Sequence, residues 1–304
     1  MKYASIDVGT NAILLLIAKQ DNGISDIIDI SSITRLGEGL KKNGCLSNEA
    51  ITRTFYVLEK YRKIIDENDV SEIFCVGTSA LREAENAEIF LEMVREKLKL
   101  TVRVISEHDE AYYTYLSVKN DELIKDKNVI IVDIGGGSTE IIKGNSQGFF
   151  DFVSLPTGTV KLTEMFVKHD PPLNDELFLL KAYSKDLLLK LPFDGCGSTL
   201  AGAGGTITNL SAILLGLEVF DKDIIHTSVI TLNEIDKLID LMKNMYTSER
   251  KAIKGMEKGR EDIFLQGIMF LREIMVYFGF KNLIVSAKGV RYGVIYERLR
   301  TTVL

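Results

Sequence analysis

The apolar positions of the chain alternate between short continuous runs closed by glycine turns and longer stretches at helical spacing. Tyr3-Ala4-Ser5-Ile6 is a β-like run that ends at Asp7-Val8-Gly9-Thr10-Asn11, and residues 13–18 follow as a second apolar strand. Asp21-Asn22-Gly23 is a hairpin signal leading into a third strand over 24–33. Ser47 offers an N-cap to a helix from 48 to about 66, where Ile51, Phe55, Leu58 and Ile65 recur on one face. A strand over 73–76 ends at Gly77-Thr78-Ser79. A helix near 87–97, a strand over 102–105 and a helix from 107 to about 118 complete this part.

The polar stretch 119–128 breaks the pattern, which places domains at 1–124 and 125–304, with the last helix returning to pack on the first domain. The pattern then restarts. Val129-Ile130-Ile131-Val132 is a buried strand, Asp133-Ile134-Gly135-Gly136-Gly137 a turn, and strands follow over 138–143 and 149–154. Helices are expected over 157–167, 176–190, 232–245 and 261–278. The loop Gly202-Ala203-Gly204-Gly205-Thr206 leads into another helix, and a strand over 282–286 precedes a final helix from about 288. Asp7 and Asp133 lie 126 positions apart, each between an apolar strand and a second strand. Two such halves facing one another would bring both turns to one cleft.

Composition narrows the chemistry. The chain has 304 residues, 46% hydrophobic and 26% charged, and a net charge of −6, which suits two globular domains and disfavours bulk binding of nucleic acid or anionic membrane. Cys45, Cys75 and Cys196 form no CxxC pair, and His108, His169 and His226 are too few for a multi-histidine centre. No GxxxxGK[ST] loop occurs, and Gly195-Cys196-Gly197 lacks the final glycine of a dinucleotide fingerprint. Residues 1–20 lack a signal-peptide layout, and the apolar run 12–18 is too short to cross a bilayer. A cytoplasmic protein with no membrane and no nucleic-acid partner is expected.

Glycine turns let backbone N–H groups approach an anion, and an Asp at the strand end before such a turn can hold a hydrated Mg²⁺. Asp7 and Asp133 have this setting, with Thr10, Asn11, Ser138 and Thr139 as neutral donors. A single Asp-x-Gly turn also reads as an ordinary hairpin. The run Gly135-Gly136-Gly137-Ser138-Thr139-Glu140 favours phosphate, because three consecutive glycines are entropically costly to order. By position alone, Glu110 reads as one of several carboxylates at a helix N-terminus, with a catalytic side chain as the second reading. Arg82 is either a phosphate clamp or a surface arginine. Gly204, Gly205 and Thr206 form either an anion site at a helix start or a close packing turn.

Together these residues resemble the exopolyphosphatase and guanosine pentaphosphate phosphohydrolase family of the actin-like ATPase superfamily. The likeness runs through residues 4–11, 34–40, 77–82 with Asn86, 104–106 with 109–111, 133–140, 202–206, Arg260 with Asp262, and 288–293. It implies an α/β fold of two actin-like, ribonuclease H-like domains with mixed five-stranded sheets around a central cleft. It also implies Mg²⁺-dependent hydrolysis of the terminal phosphoryl group of polyphosphate or guanosine pentaphosphate. The family's catalytic glutamate matches Glu110, and its phosphate-motif carboxylates match Asp133 and Glu140. Arg82 matches a family arginine. Asp7, Asp133 and Glu140 are thus the expected Mg²⁺ ligands. The expected phosphate contacts are Gly9, Thr10, Asn11, Arg82, Gly135, Gly136, Gly137, Ser138, Thr139, Gly204, Gly205 and Thr206. A homodimer is implied by resemblance only.

The chain departs from the family pattern at Glu107, where Gly is usual, at Asp109, where Glu is usual, and at Ala12, where Ser is usual. Longer members carry a further C-terminal helical region. Glu107 and Ala12 keep open a second reading, a protein that senses (p)ppGpp or phosphate with little catalysis. A small-molecule kinase is a third.

Overall fold

The computed structural model describes residues 1–302 except 22, 146 and 149. Asn22 of the expected hairpin turn, Phe149 of the expected strand and Leu304, the expected end of the second domain, lie outside the described residues. The chain divides into two compact units, one of Met1–Ser117 with the C-terminal helix, the other Val118–Gly289.

The first unit contains β1 (Lys2–Val8), β2 (Ala12–Gln20), β3 (Ile24–Ile33), α1 (Leu40–Asn43), α2 (Asn48–Asp66), β4 (Glu72–Gly77), α3 (Ser79–Glu83), α4 (Ala87–Leu98), β5 (Val102–Val104) and α5 (Glu107–Lys119). Its sheet runs β3-β2-β1-β4-β5. β1 pairs antiparallel with β2 and parallel with β4, so the central strand is buried along nearly its whole length. The Ser47 hydroxyl caps α2 by accepting from Ala50 N at 3.1 Å. The buried face of that helix carries Ala50, Thr54, Leu58, Tyr61 and Ile65.

The second unit contains β6 (Val129–Ile134), β7 (Thr139–Gly144), β8 (Phe150–Leu155), α6 (Thr159–Phe166), α7 (Asn174–Leu188), β9 (Thr199–Ala203), α8 (Gly205–Leu214), α9 (Lys222–Ile225), β10 (Val229–Thr231), α10 (Leu232–Met242), α11 (Thr247–Arg250), α12 (Phe264–Phe278) and β11 (Asn282–Val285). Its sheet has six strands, in the order β10-β11-β9-β6-β7-β8, where five were expected. The extra edge strand, β10, has three residues and runs straight into α10, whose N-cap is its last residue, Thr231. A run that short shows no alternation in the sequence. α12 is buried on nearly every side, so its apolar spacing is continuous rather than striped.

The last helix, α13 (Val290–Thr302), belongs to the first unit. Arg291 makes a two-pronged pair with Asp29 on β3, both bonds 2.9 Å. Tyr292 and Ile295 join Tyr3, Leu16 and Ala18 in a buried cluster.

In the second unit Asp121 is 3% exposed. It accepts Lys288 Nζ at 2.6 Å and Ser286 Oγ at 3.2 Å, with His226 Nε2 at 3.3 Å. Burial alone would raise its carboxyl, but hydrogen bonds from His226 and Lys288 and their charges outweigh burial and hold it below the ordinary value. A lowered folded value stabilises the protein above the unfolded pKa, near 3.9, and that contribution disappears as pH falls through the folded value. Asp121→Asn is therefore expected to cost about 3–5 kcal/mol at pH 7, the cost of breaking a buried pair. The difference from wild type should shrink as pH drops below about 4. Urea unfolding across that range measures it, and a pH-independent difference would contradict the assignment.

Candidate active site

Both turns form at the C-terminal ends of strands with a parallel neighbour, the edge where open α/β sheets bind ligands. In the first unit, Val8 pairs with Ile13, and Gly9 N closes the turn on Ala12 O at 3.0 Å. In the second, Ile134 pairs with Thr139, and Gly135 N closes on Ser138 O at 3.1 Å. Every partner in the second set lies 126 positions after its counterpart, so the repeat seen in the sequence is a repeat of register.

Peptide planarity then fixes where the turn amides point. Thr159 N and Val160 N, at the start of α6, donate to Gly135 O and Gly136 O, each at 3.0 Å. Each carbonyl is trans to the next amide, so Gly136 N–H and Gly137 N–H face away from α6. Among the described residues the amides of Gly136, Gly137 and Ser138 donate to no protein acceptor, and neither do those of Thr10 and Asn11. Asn11 is 5% exposed, and neither polar atom of its side chain meets a partner. Buried donors without acceptors point to a polar ligand or water.

Asp133 is half-buried at the end of β6 and lies directly across the ladder from Glu140, so both side chains leave the same face. Glu140 is buried and accepts from Ser154 Oγ at 3.0 Å. Thr139 projects to the opposite face, is fully buried and donates to Thr157 O at 2.7 Å, which ties β7 to the segment before α6. Gly204 has φ +88°, and a Cβ there would run into Asp133 Oδ1. Thr206 Oγ1 reaches Ile134 O at 3.4 Å. The second unit thus gathers Asp133, Glu140, the glycine turn and the Gly204-Gly205-Thr206 segment.

The sequence left one residue of this group out of the site. The Arg260 guanidinium lies on Gly205, where a Cβ would overlap it, at the first turn of α8. It is 7% exposed, with Nε on the Glu257 carboxylate. The guanidinium sits beside the positive end of the α8 helix, with the Glu257 carboxylate offsetting part of its charge. The family likeness marks Arg260 with Asp262, but nothing local says that its guanidinium lies on Gly205, which is distant in the chain.

In the first unit Ser106 caps α5, accepting Asp109 N at 3.0 Å on its hydroxyl and Glu110 N at 3.0 Å on its carbonyl. This cap turns Glu110 inward, where it is 8% exposed. Arg82, in the last turn of α3, donates from Nη1 to Glu110 Oε2 at 2.6 Å and to Ile105 O at 3.1 Å. Glu107 and His108 face solvent, so the charge that replaces the family's glycine is hydrated. Asp7 is buried at the end of β1. Burial and the Asp7 charge push the thiol of nearby Cys75 up, which leaves it protonated and inert as a nucleophile. No helix among the described residues is long and apolar enough to cross a membrane.

Comparison with known proteins identifies the family. Residues 16–302 match the Ppx/GppA phosphatase family. The chain is 38% identical over 97% of its length to a bifunctional 3-dehydroquinate synthase/phosphatase of Fusobacterium nucleatum, and spans 46% of that protein. It is 29% identical over 90% of its length to exopolyphosphatase 2 of Mycobacterium tuberculosis, spanning 89% of it. It is also 29% identical over 98% of its length to a guanosine-5'-triphosphate,3'-diphosphate pyrophosphatase of Pseudoalteromonas atlantica, spanning 58% of it. Among solved structures, a Ppx/GppA member of Aquifex aeolicus superposes with a TM-score of 0.84 at 36% identity, covering 99% of this chain and 98% of that one. The two mixed sheets are those of the actin-like fold, and the chain belongs to the Ppx/GppA phosphatase family.

Proposed function

We propose that the chain is a phosphoric-anhydride hydrolase that removes the terminal phosphoryl group of inorganic polyphosphate, of guanosine pentaphosphate, or of both. The observation that carries this most is the 135–138 turn, whose amides at 136–138 donate to no protein acceptor among the described residues, beside the Asp133 carboxylate held against Gly204. The names of the M. tuberculosis and P. atlantica relatives supply the two substrates.

Glu110 acts as general base, orienting a water and taking its proton as the water attacks the terminal phosphorus; the bridging P–O bond breaks, orthophosphate is released and the shortened chain or ppGpp leaves with the bridging oxygen. Arg82 holds the Glu110 carboxylate in one orientation. The amides of the two turns and Asn11 bind phosphate oxygens, as does the helix start at Gly205 and Thr206. Asp133 and Glu140 offer carboxylate oxygens, a donor type suited to Mg²⁺, which takes one or two carboxylates and completes its shell with water and phosphate. Among the described residues no cluster of three or more His, Cys, Asp or Glu is placed to hold a metal. Asp133 and Glu140, directly across the β6–β7 ladder, would hold the ion in the second unit, and Asp7 has the matching position at the end of β1 in the first. When bound, Mg²⁺ neutralises charge on the phosphate oxygens. The same reading takes the enzyme as a homodimer, on family resemblance alone.

The test is phosphate release from short polyphosphate, long polyphosphate and guanosine pentaphosphate, with Mg²⁺ and with excess chelator. Release that requires Mg²⁺ on at least one substrate is expected. Tight binding with no release from any of them would replace this reading with the sensing protein.

A further inference from the structure

The carbonyl side of the first turn is clamped by a segment to which no function has been given. Gly37 N donates to Thr10 O at 2.9 Å, and Thr34 N and Arg35 N donate to Asn11 O at 3.0 and 2.9 Å. Because peptides are trans, fixing Thr10 O fixes the opposite direction for Asn11 N–H. In the second unit α6 clamps Gly135 O and Gly136 O, so the carbonyl equivalent to Thr10 O is held in both units and the other held carbonyl lies one residue earlier in the turn. Each clamp has a glycine at the point of closest approach. At Gly158 a Cβ would lie 2.5 Å from Gly136 C and O. At Gly37 a Cβ would overlap Thr10 Cγ2, while its next neighbour, Ala80 Cβ, stays at 3.4 Å.

The 34–37 strap is itself held from behind. Arg53, on α2, donates from Nε to Thr34 O at 2.9 Å and from Nη2 to Arg35 O at 3.4 Å and Glu38 Oε2 at 2.9 Å. Leu36 is fully buried and anchors the strap in the core. The two halves thus use unrelated segments, a strap and a helix start, to orient equivalent turns.

We infer that Gly37 and Arg53 are positioning residues for the phosphoryl substrate, acting through the 34–37 strap to aim the amides of the 9–11 turn. This rests on the reading of that turn as a phosphate site. Neither residue touches substrate. Gly37 sets how closely the strap approaches the turn, and Arg53 sets where the strap sits.

A double-mutant cycle separates this role from general stability. Thr10→Ser deletes only the methyl group that a Cβ added at position 37 would meet. Gly37→Ala should raise KM for tripolyphosphate about tenfold, the worth of one charge-assisted hydrogen bond, with kcat changed less than about threefold. In a Thr10→Ser background the same Gly37→Ala change should raise KM by less than about threefold. Arg53→Ala, at a half-exposed side chain, should raise KM in the same direction, and Arg53→Lys should recover part of the loss. Tripolyphosphate Kd by calorimetry in a Glu110→Gln background gives the same comparison without turnover.

Unchanged KM and Kd in Gly37→Ala, or an equal loss in both backgrounds, would overturn the strap's role while leaving the hydrolase reading intact. Wild-type protein that neither binds nor cleaves tripolyphosphate or guanosine pentaphosphate would overturn both.

Discussion

Glu110→Gln should lower phosphate release by about 10²–10⁴-fold, the usual worth of a general base, while tripolyphosphate still binds. The substitution keeps side-chain size and leaves a carbonyl oxygen for Arg82 Nη1, which sits 2.6 Å from Glu110 Oε2 in the native protein. The cap at Ser106 and the bond from Arg82 to Ile105 O do not involve the Glu110 side chain, so the fold around it should persist. What is lost is the ability to accept a proton, and that loss belongs in kcat rather than KM. Turnover at the wild-type rate would remove Glu110 from the mechanism.

Gly204→Ala is expected to be nearly as damaging to activity, by a different route. A non-glycine residue at φ +88° costs on the order of 1–3 kcal/mol of strain. The added Cβ also meets Asp133 Oδ1, so the carboxylate must move. A displacement of about 1 Å in a positioned group can cost about 10²-fold in rate. Phosphate release should fall by that order, and the Mg²⁺ concentration for half-maximal activity should rise. Gly216→Ala is the control: its φ is +62°, yet a Cβ there meets nothing within 4 Å. It should lose stability on urea unfolding but keep its activity. Equal activity in the two variants would show that the Asp133 carboxylate needs no fixed position.

The duplication was legible because it is carried by local signals. Buried strand runs end at Asp-x-Gly, and the pairings Val8 with Ile13 and Ile134 with Thr139 keep the 126-residue offset of the sequence. The Ser47 cap and the periodic face of α2 were legible for the same reason. β9 was not, since Leu200-Ala201-Gly202-Ala203 is mostly small residues that mimic a loop yet lies in the middle of a sheet. Side-chain direction was the other gap. Thr139 and Glu140 are neighbours in sequence, but strand alternation sends the threonine to Thr157 and leaves the glutamate across from Asp133. The Arg82–Glu110 pair and the placement of Arg260 on Gly205 are tertiary contacts, and no local pattern encodes them.

The way the chain is threaded sets an order for its birth on the ribosome. Val118–Gly289 is one uninterrupted segment, whereas the other unit is assembled from both ends of the described chain. Asp29 waits for Arg291, and Tyr3 and Leu16 wait for Tyr292 and Ile295, all made after every residue of that segment. The half that begins first is therefore completed later than the other, because the cluster of Tyr3, Leu16 and Ala18 closes only when α13 has been made.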